Sequence, residues 1–498
     1  LSVGMDYAQL DIGYREHWLS PFTDSSMLLS TEATTMPSVT LSNYRPISGL
    51  GISYQIYLAE MSNSDHILYK NRYTSGKPRL GGVHLQMQPA DGYSFSVNRQ
   101  LQYGGGERPN DSFNDFVDAF MDYSEYDTME SPLDFDKEFG NQQASLTSRI
   151  IFPGSRPFSV YFEYAGEDSS SFGSYKLGCA SFSLGIDIPV LWDRFDLVYE
   201  ATERQNNWYV SHIYHDGMIN DGNVVGHWFG DQRKFSDDAG GTSQMLRVGW
   251  QLESGDYMSA IYRTLKNDSY TTIDYKRMHQ IGLRYSHPWN GQLIGMQLVS
   301  GRDVFGEWYA CLSASLDYKQ DWSVFSANAG STAENSRDLT DLFVDAGASY
   351  NKLRTNRIYM QDGTLRRRTA DGTDAHLGFG VRRSVTEHSD LGARIEYDRA
   401  GGDELFSLRM LDYRYRLGTR LAFSGFFGVG RYNVDTPAYG YYFGFGTQLL
   451  DIMPKWDLCV DVSNRLDMAR RKSKESDPPP ENLQYDVRGV TIYLSRRF

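Results

Sequence analysis

Apolar and polar residues alternate between turn signals along almost the whole chain. A period of two puts one row of side chains in an apolar medium and the other in water, which predicts β-strands with one wet face. In Phe158–Tyr164 the even positions suit lipid, while Ser159, Tyr161 and Glu163 face a wet interior. Leu246, Val248, Trp250 and Leu252 alternate with Arg247, Gly249 and Gln251. The same holds for Phe195, Leu197 and Tyr199 against Asp196 and Glu200, and for Ile281, Leu283 and Tyr285 against Gln280 and Arg284. Ionisable residues recur on the inner side. Glu163, Asp196, Glu200, Arg247 and Arg284 are therefore predicted to line a lumen, joined in the last third by Arg394 and Glu396. Helical spacing stands out at Phe113, Phe116, Val117, Phe120 and Met121, which predicts a short amphipathic helix with Asn110 or Asp111 as its N-cap.

A soluble sandwich also alternates, so connection lengths decide. Tight connections occur at Pro89–Gly92, Pro153–Arg156, Glu253–Asp256, His287–Gly291 and Lys319–Asp321. Long polar loops fall between them at 104–140, 204–241 and 266–275. Short turns at one end and long loops at the other describe an outer-membrane barrel, with turns in the periplasm and loops outside. Taking 3–15 as one rising strand, the tight turns keep to the periplasmic side, provided that a hairpin turns at Asp362-Gly363. Turns at Glu387–Ser389, Leu417–Thr419 and Met453–Lys455 then fall on that side too. The sum is an all-β, large transmembrane antiparallel barrel of about 24 strands. The last segment, Asp486–Phe498, ends on an aromatic with Val490, Ile492, Leu494 and Arg496 in one row, like the terminal strand read by the outer-membrane assembly machinery.

Composition narrows the class. The 498 residues hold 49 Lys plus Arg against 63 Asp plus Glu, a net charge of −14 that disfavours nucleic acid. Aromatics at 14% exclude disorder, and no apolar stretch is long enough for a membrane helix. Cys179, Cys311 and Cys459 stand apart without metal-ligand spacing and are expected to be small packing residues. The first residues carry no secretory signal, which implies a processed or truncated start.

The stretch Trp208–Gly217, followed by Gly226, Gly230-Asp231 and Gly240-Gly241, resembles the capsule assembly protein Wzi family. So do Tyr103–Pro109 with Phe113, Asn114 and Phe116, and Gly140-Asn141-Gln142, all in the family's order. The resemblance covers roughly residues 1–330. It implies a bacterial outer-membrane barrel that binds surface polysaccharide and helps to organise or attach it. It also implies an eighteen-stranded wall preceded by a small periplasmic helical bundle. Against that pattern the bundle and two opening strands are missing, for about 26 strands if those two are added, and about eight strands follow residue 330. Residues 1–330 are thus read as the Wzi-like part and 331–498 as additional strands, favouring one enlarged barrel roughly 45 to 55 Å across. Side chains cannot fill such a lumen, so it holds folded loops, a partner or a passing polymer.

The 204–241 loop is the first candidate for ligand contact. Trp208, Tyr209, Tyr214 and Trp228 offer faces for sugar rings, and His212, Asp216, Asn220 and Asp231 offer hydrogen bonds to hydroxyls. The plainer alternative is that these aromatics pack the loop. The 104–140 loop, with eleven acidic and two basic residues, reads as a lid or plug, with Asp115, Asp118 and Asp122 a weak calcium set. His212, His215 and His227 are a weak zinc set, so neither metal nor cofactor is expected. Basic residues crowd the last third, at 366–368, Arg382-Arg383, Arg414, Arg416, Arg420, 470–472 and Arg496-Arg497, where they would attract anionic glycans or lipopolysaccharide phosphates. No hydrolase or phosphate-loop motif stands above chance, so no enzyme is expected. The function predicted is capsule or exopolysaccharide assembly, export or surface attachment. The expected partners are the polymer, lipopolysaccharide with outer-membrane lipid, and a periplasmic export protein. Alternatives are a surface lectin with a blocked lumen and a general porin or uptake receptor.

Overall fold

In a computed structural model, the described residues are 1–109, 112–121, 136, 138–167, 169–170, 173–235, 237–268, 273–290, 292–318, 340–355, 358–359, 365–366, 369–433, 436–437, 439–470 and 485–498. The turns expected at Lys319–Asp321 and Asp362-Gly363, Asp122, and the proposed caps Asn110 and Asp111 lie outside them. The chain divides into two units, Leu1–Arg149 with Arg156–Ser331, and Ile150–Ser155 with Thr332–Phe498.

The first unit is a 15-stranded sheet in which each wall strand lies beside the next wall strand in sequence. The expected opening strand at 3–15 is instead a hairpin, Ser2–Met5 and Ala8–Tyr14, because the chain reverses at Asp6-Tyr7. Registers fix which row faces inward. Glu163 lies across from Ser183, Glu200 from Gly185 and Met245, and Asp196 from Gly249, so the predicted inner row is one continuous face. The opposite row is bare, with Ile281 57% exposed and Leu283, Leu298, Leu312 and Leu316 beside it. Trp192, Trp250 and Trp289 are exposed where strands meet the short turns, and Phe195 stacks on Trp250 with centroids 5.8 Å apart. An apolar band flanked by an aromatic girdle is the surface lipid requires. Neighbouring strands alternate in direction, so the edge strands Ser2–Met5 and Trp308–Tyr318 run the same way. Neither edge has a second partner among the described residues.

The expectation of a single enlarged barrel is corrected by the second unit. Thr340–Thr355 pairs on one side with Thr369–Ser384 and on the other with Tyr485–Arg497, closing eight strands on themselves. A ladder from Phe343↔Arg497 to Thr355↔Tyr485 leaves no free edge to widen another sheet. The C-terminal stripe behaves as the alternation predicts, with Val490 and Ile492 exposed and Val487, Thr491 and Tyr493 buried.

Charge fills this small barrel. Arg394 pairs with Asp345 at 3.1 Å and Asp412 at 3.0 Å, and donates to the Tyr493 hydroxyl at 2.6 Å. Arg409 bridges Glu396 and Asp461, both at 2.5 Å. Arg465 meets Asp398 at 2.9 Å, and Asp398 meets His376 at 2.8 Å. Nearer the short turns, Arg414 meets Asp390 at 2.7 Å, and Arg382 meets Asp412 at 2.8 Å. At the other end Leu353, Leu405, Tyr432, Met468, Tyr485 and Val487 form an apolar cap. The reading of Arg382 and Arg414 as lures for anionic glycans is corrected accordingly, since each is buried against carboxylates of its own barrel. Cys459 is buried, but Cys311 is exposed and does not pack as expected.

Candidate functional site: the packed interior and outer rim of the first unit

Two segments fold inside the fifteen-stranded wall. The first runs from Arg15 to Met36, between the second and third strands, and the second is the 205–240 loop. Both carry apolar residues too large to leave in water. Leu19, Met27, Leu28, Leu29 and Met36 from one, and Trp208, Tyr209, Met218, Val224, Val225, Trp228 and Phe229 from the other, form one buried core with wall residues Tyr57, Leu80, Ala165, Leu265 and Met278.

A loop brought inside a wall must find acceptors for its backbone N–H groups, and the inner carboxylates supply them. Glu200 accepts from the Thr23 N–H at 2.8 Å, its hydroxyl at 2.9 Å, the Asp24 N–H at 3.0 Å and the Tyr161 hydroxyl at 2.8 Å. Glu163 accepts from the Ser20 hydroxyl at 3.0 Å and the Met27 N–H at 3.3 Å. Glu167 accepts from the Tyr209 N–H at 2.6 Å and from Asn141 and Gln143. Inward amides complete the dock, with Asn98 donating to the Leu19 carbonyl and Gln100 to that of Leu28. Asp24 takes the Arg263 guanidinium through two nitrogens at 2.9 and 2.5 Å, and accepts from the Trp228 indole at 2.8 Å.

The loop aromatics proposed for sugar stacking serve this packing. Trp208, Tyr209 and Tyr214 are fully buried, and Trp228 nearly so. The Tyr209 hydroxyl donates to the Met27 carbonyl at 2.5 Å and accepts from the His227 N–H at 2.8 Å. Tyr209 holds a left-handed φ of 60°, a strained geometry fixed by partners on both sides. Gly226 must lack a side chain, since a Cβ there would sit 2.4 Å from the Tyr209 hydroxyl and 2.5 Å from the Met27 carbonyl oxygen. Tyr214 donates to the Gly104 carbonyl at 3.0 Å. His227 is buried and stacked on Phe229 with centroids 4.4 Å apart, apart from the loop-surface histidines.

The polar members of the set stay at the rim. The His212 ring meets Glu138 at 2.6 Å. Asp216 accepts from the Ser64 hydroxyl at 2.6 Å and the His66 Nδ1 at 2.8 Å. Burial pushes the Asp216 carboxyl up, but the Ser64 and His66 hydrogen bonds outweigh it and hold the group below the ordinary aspartate value. Asn220 ties Thr34 to Ser62, and the exposed Asp231 accepts from the Val224 N–H at 2.9 Å. A hairpin that sequence reasoning missed, Ser64–Tyr69 with Arg72–Gly76, stands over this rim. Its Tyr73, half exposed, bonds the His215 Nδ1 at 3.0 Å and meets the rings of His66 and His215 edge-on. Arg72 pairs with Glu107 beside it.

The 104–140 loop contributes the predicted helix, Phe113–Met121. Ser112 forms a capping box with Asp115: the Ser112 hydroxyl accepts from the Asp115 N–H at 3.2 Å, and the Asp115 carboxylate accepts from the Ser112 N–H at 2.9 Å. This reciprocal pair gives Asp115 a capping role in place of the calcium contact considered from sequence. Phe116 packs into Leu101, Tyr103 and Phe139.

Of the remaining lumen residues, Asp196 accepts from the Tyr257 hydroxyl at 3.0 Å and meets Arg247 at 3.5 Å. Arg284 lies across from Ser259 and Gln297 and is exposed. This wet, mixed-charge stretch lies toward the short turns, while Glu163 and Glu200 are sealed. Arg394 and Glu396 belong to the second unit's closed charge stack.

The sequence profile of the capsule assembly protein Wzi family matches residues 1–307, more than half of the chain. The chain belongs to the Wzi capsule assembly family. It is an outer-membrane β-barrel protein of capsule assembly, as the lipid-suited outer rows also require. No curated protein matches it. Among solved structures it is similar to Wzi of Escherichia coli, described as an outer-membrane protein of group 1 capsule assembly and a carbohydrate-binding β-barrel. That likeness has 16% identity over 63% of this chain and 68% of the other, with a TM-score of 0.48. The ferric enterobactin receptor of Pseudomonas aeruginosa is similar at 10% identity over 100% of this chain and 82% of its own, TM-score 0.28. The ferric preacinetobactin receptor BauA of Acinetobacter baumannii is similar at 10% over 93% and 78%, TM-score 0.29. The Wzi-family match ends close to the last strand of the first unit, Trp308–Tyr318.

Proposed function

We propose that this Wzi-family chain binds capsule or exopolysaccharide at the outer rim of its first unit and takes part in attaching the polymer to the cell surface. One observation carries the choice of attachment over passage. The segments Arg15–Met36 and 205–240, which plug the wall from inside, hold their backbone on Glu163, Glu167 and Glu200, so the contact surface for a polymer is the rim. Tyr73, His66, His212 and Asp216 form that surface. Trp208, Tyr209, Tyr214 and Trp228 hold it in shape from beneath, since their faces are covered. An exposed aromatic among imidazole and carboxylate groups suits sugars, which present both apolar faces and hydroxyls. The chain acts here as a binding barrel and not as an enzyme, with lipopolysaccharide around its apolar band and a periplasmic export protein as further partners.

The test is complementation of a strain lacking the gene. The unaltered protein keeps the polymer on cells. Tyr73→Ala combined with His66→Ala releases polymer to the medium while the protein level stays constant. Retention unchanged by the double substitution, with purified protein showing no affinity for the host polymer, contradicts the proposal.

A further inference from the structure

Arginine is buried in both units, but under different terms. In the eight-stranded barrel the buried guanidiniums of Arg382, Arg394, Arg409, Arg414 and Arg465 each meet a carboxylate. Arg204 and Arg233 of the first unit, 3% and 9% exposed, meet none among the described residues. Arg204 ends the Phe195–Arg204 strand and lies on the Phe229 ring, its central carbon 3.7 Å from the centroid. One nitrogen, Nη2, donates to the Asn267 side chain at 2.7 Å, while Nε and Nη1 have no acceptor among the described residues. Arg233 follows the short helix Trp228–Asp231, and its Nη2 donates to the Trp208 carbonyl oxygen. Among the described residues its Nη1 has no acceptor, and neither has the indole N–H of Trp208.

The two guanidiniums are within electrostatic reach of each other. The acids that they feel are Asp268 for Arg204, and Glu167 and Asp237 for Arg233. Glu167 already accepts three hydrogen bonds, and Asp237 accepts from the Tyr275 hydroxyl. Two like charges buried together with idle donors are costly, and a ring face offsets only part of that cost because it leaves the in-plane N–H groups unmet. We infer that Arg204 and Arg233 hold an anion, a single oxyanion of the carboxylate or phosphate class, with the Trp208 indole N–H as a neighbouring donor. The ion is either free in solution or the acid group of a sugar unit in the polymer. Only the second source rests on the carbohydrate reading above.

The test is calorimetric titration of the full chain in detergent micelles with phosphate, glucuronate, a uronate-containing oligosaccharide and its neutral counterpart. The inference predicts saturable binding of at least one of the three anionic probes, weakened at least tenfold in Arg233→Gln, with the neutral sugar unaffected by the substitution. Phosphate or glucuronate binding without competition from the acidic oligosaccharide assigns a free ion, and competition assigns the polymer. If Arg233→Gln does not fold, crystals of the unaltered protein soaked in bromide decide: an anomalous peak bonded to Arg204 and Arg233 supports the site, and water alone overturns it. No binding of any anionic probe, or equal binding by the variant, also overturns it. Saturable anion binding by the unaltered protein, weakened in Arg233→Gln, with no affinity for the neutral sugar would support this inference and count against the rim reading.

Discussion

At the scale of single residues, a few atoms let two loops live inside a wall. Gly226 lets the Tyr209 hydroxyl and the Met27 carbonyl meet, so Gly226→Ala forces one of them away and costs about 1–3 kcal/mol by overpacking. Urea unfolding in detergent measures that loss, and wild-type stability in the variant would mean that the plug contact is dispensable. His17, stacked on Tyr57 and bonded to Gln55 and Ser38, gives a pH test. Burial pulls its pKa from 6.5 down to about 4. Between those values the unfolded chain takes up a proton that the folded one refuses. The stability is therefore whole above pH 6.5 and lost as pH falls to about 4, by roughly 3 kcal/mol. Glu32, half-buried and pushed up to about 7 by burial, works in the opposite direction between pH 4.5 and 7. The difference between wild type and His17→Gln isolates the histidine, and parallel pH curves for the two would count against it. Residue roles were the least legible part of the sequence. Trp208 and Tyr73 are both aromatics in polar loops, and nothing local says that the first is sealed and the second half exposed. Met27-Leu28-Leu29, with Trp18, Leu19, Phe22 and Met36 in the same connection, was the available sign of a segment turned inward.

At the scale of elements, alternation was enough to find the wall and to orient its faces, because lipid and water leave opposite marks on neighbouring positions. Closure was not legible. A strand such as Tyr485–Arg497 has the same stripe whether it extends a large sheet or closes a small one, and only its pairing with residues 343–355, far back in sequence, decides. The capping box of the Phe113–Met121 helix was not legible for a similar reason, since several polar residues precede the helix and hydrogen bonding alone shows Ser112 paired with Asp115. The eight-stranded element rests on its charge stack. Arg409→Ala leaves Asp461 buried without its cation and Glu396 with Arg394 alone at 3.8 Å, so a loss of about 3–5 kcal/mol is expected. Thermal unfolding in detergent reads it, and a variant as stable as wild type would show that the stack tolerates an uncompensated carboxylate.

At the scale of the whole molecule, the chain is an outer-membrane protein of capsule assembly whose two units each fill their own interior, one with docked loops and the other with paired charge. Under the proposal above, these filled interiors make a surface for holding polymer and not a conduit. Single-channel recording of the purified chain in planar lipid bilayers tests this most directly. Filled interiors predict silent insertion, with no sustained open current, and current appearing once Glu200→Ala and Gly226→Ala together loosen the plug. A large steady conductance in the unaltered protein, blocked by added capsule polymer, would contradict it.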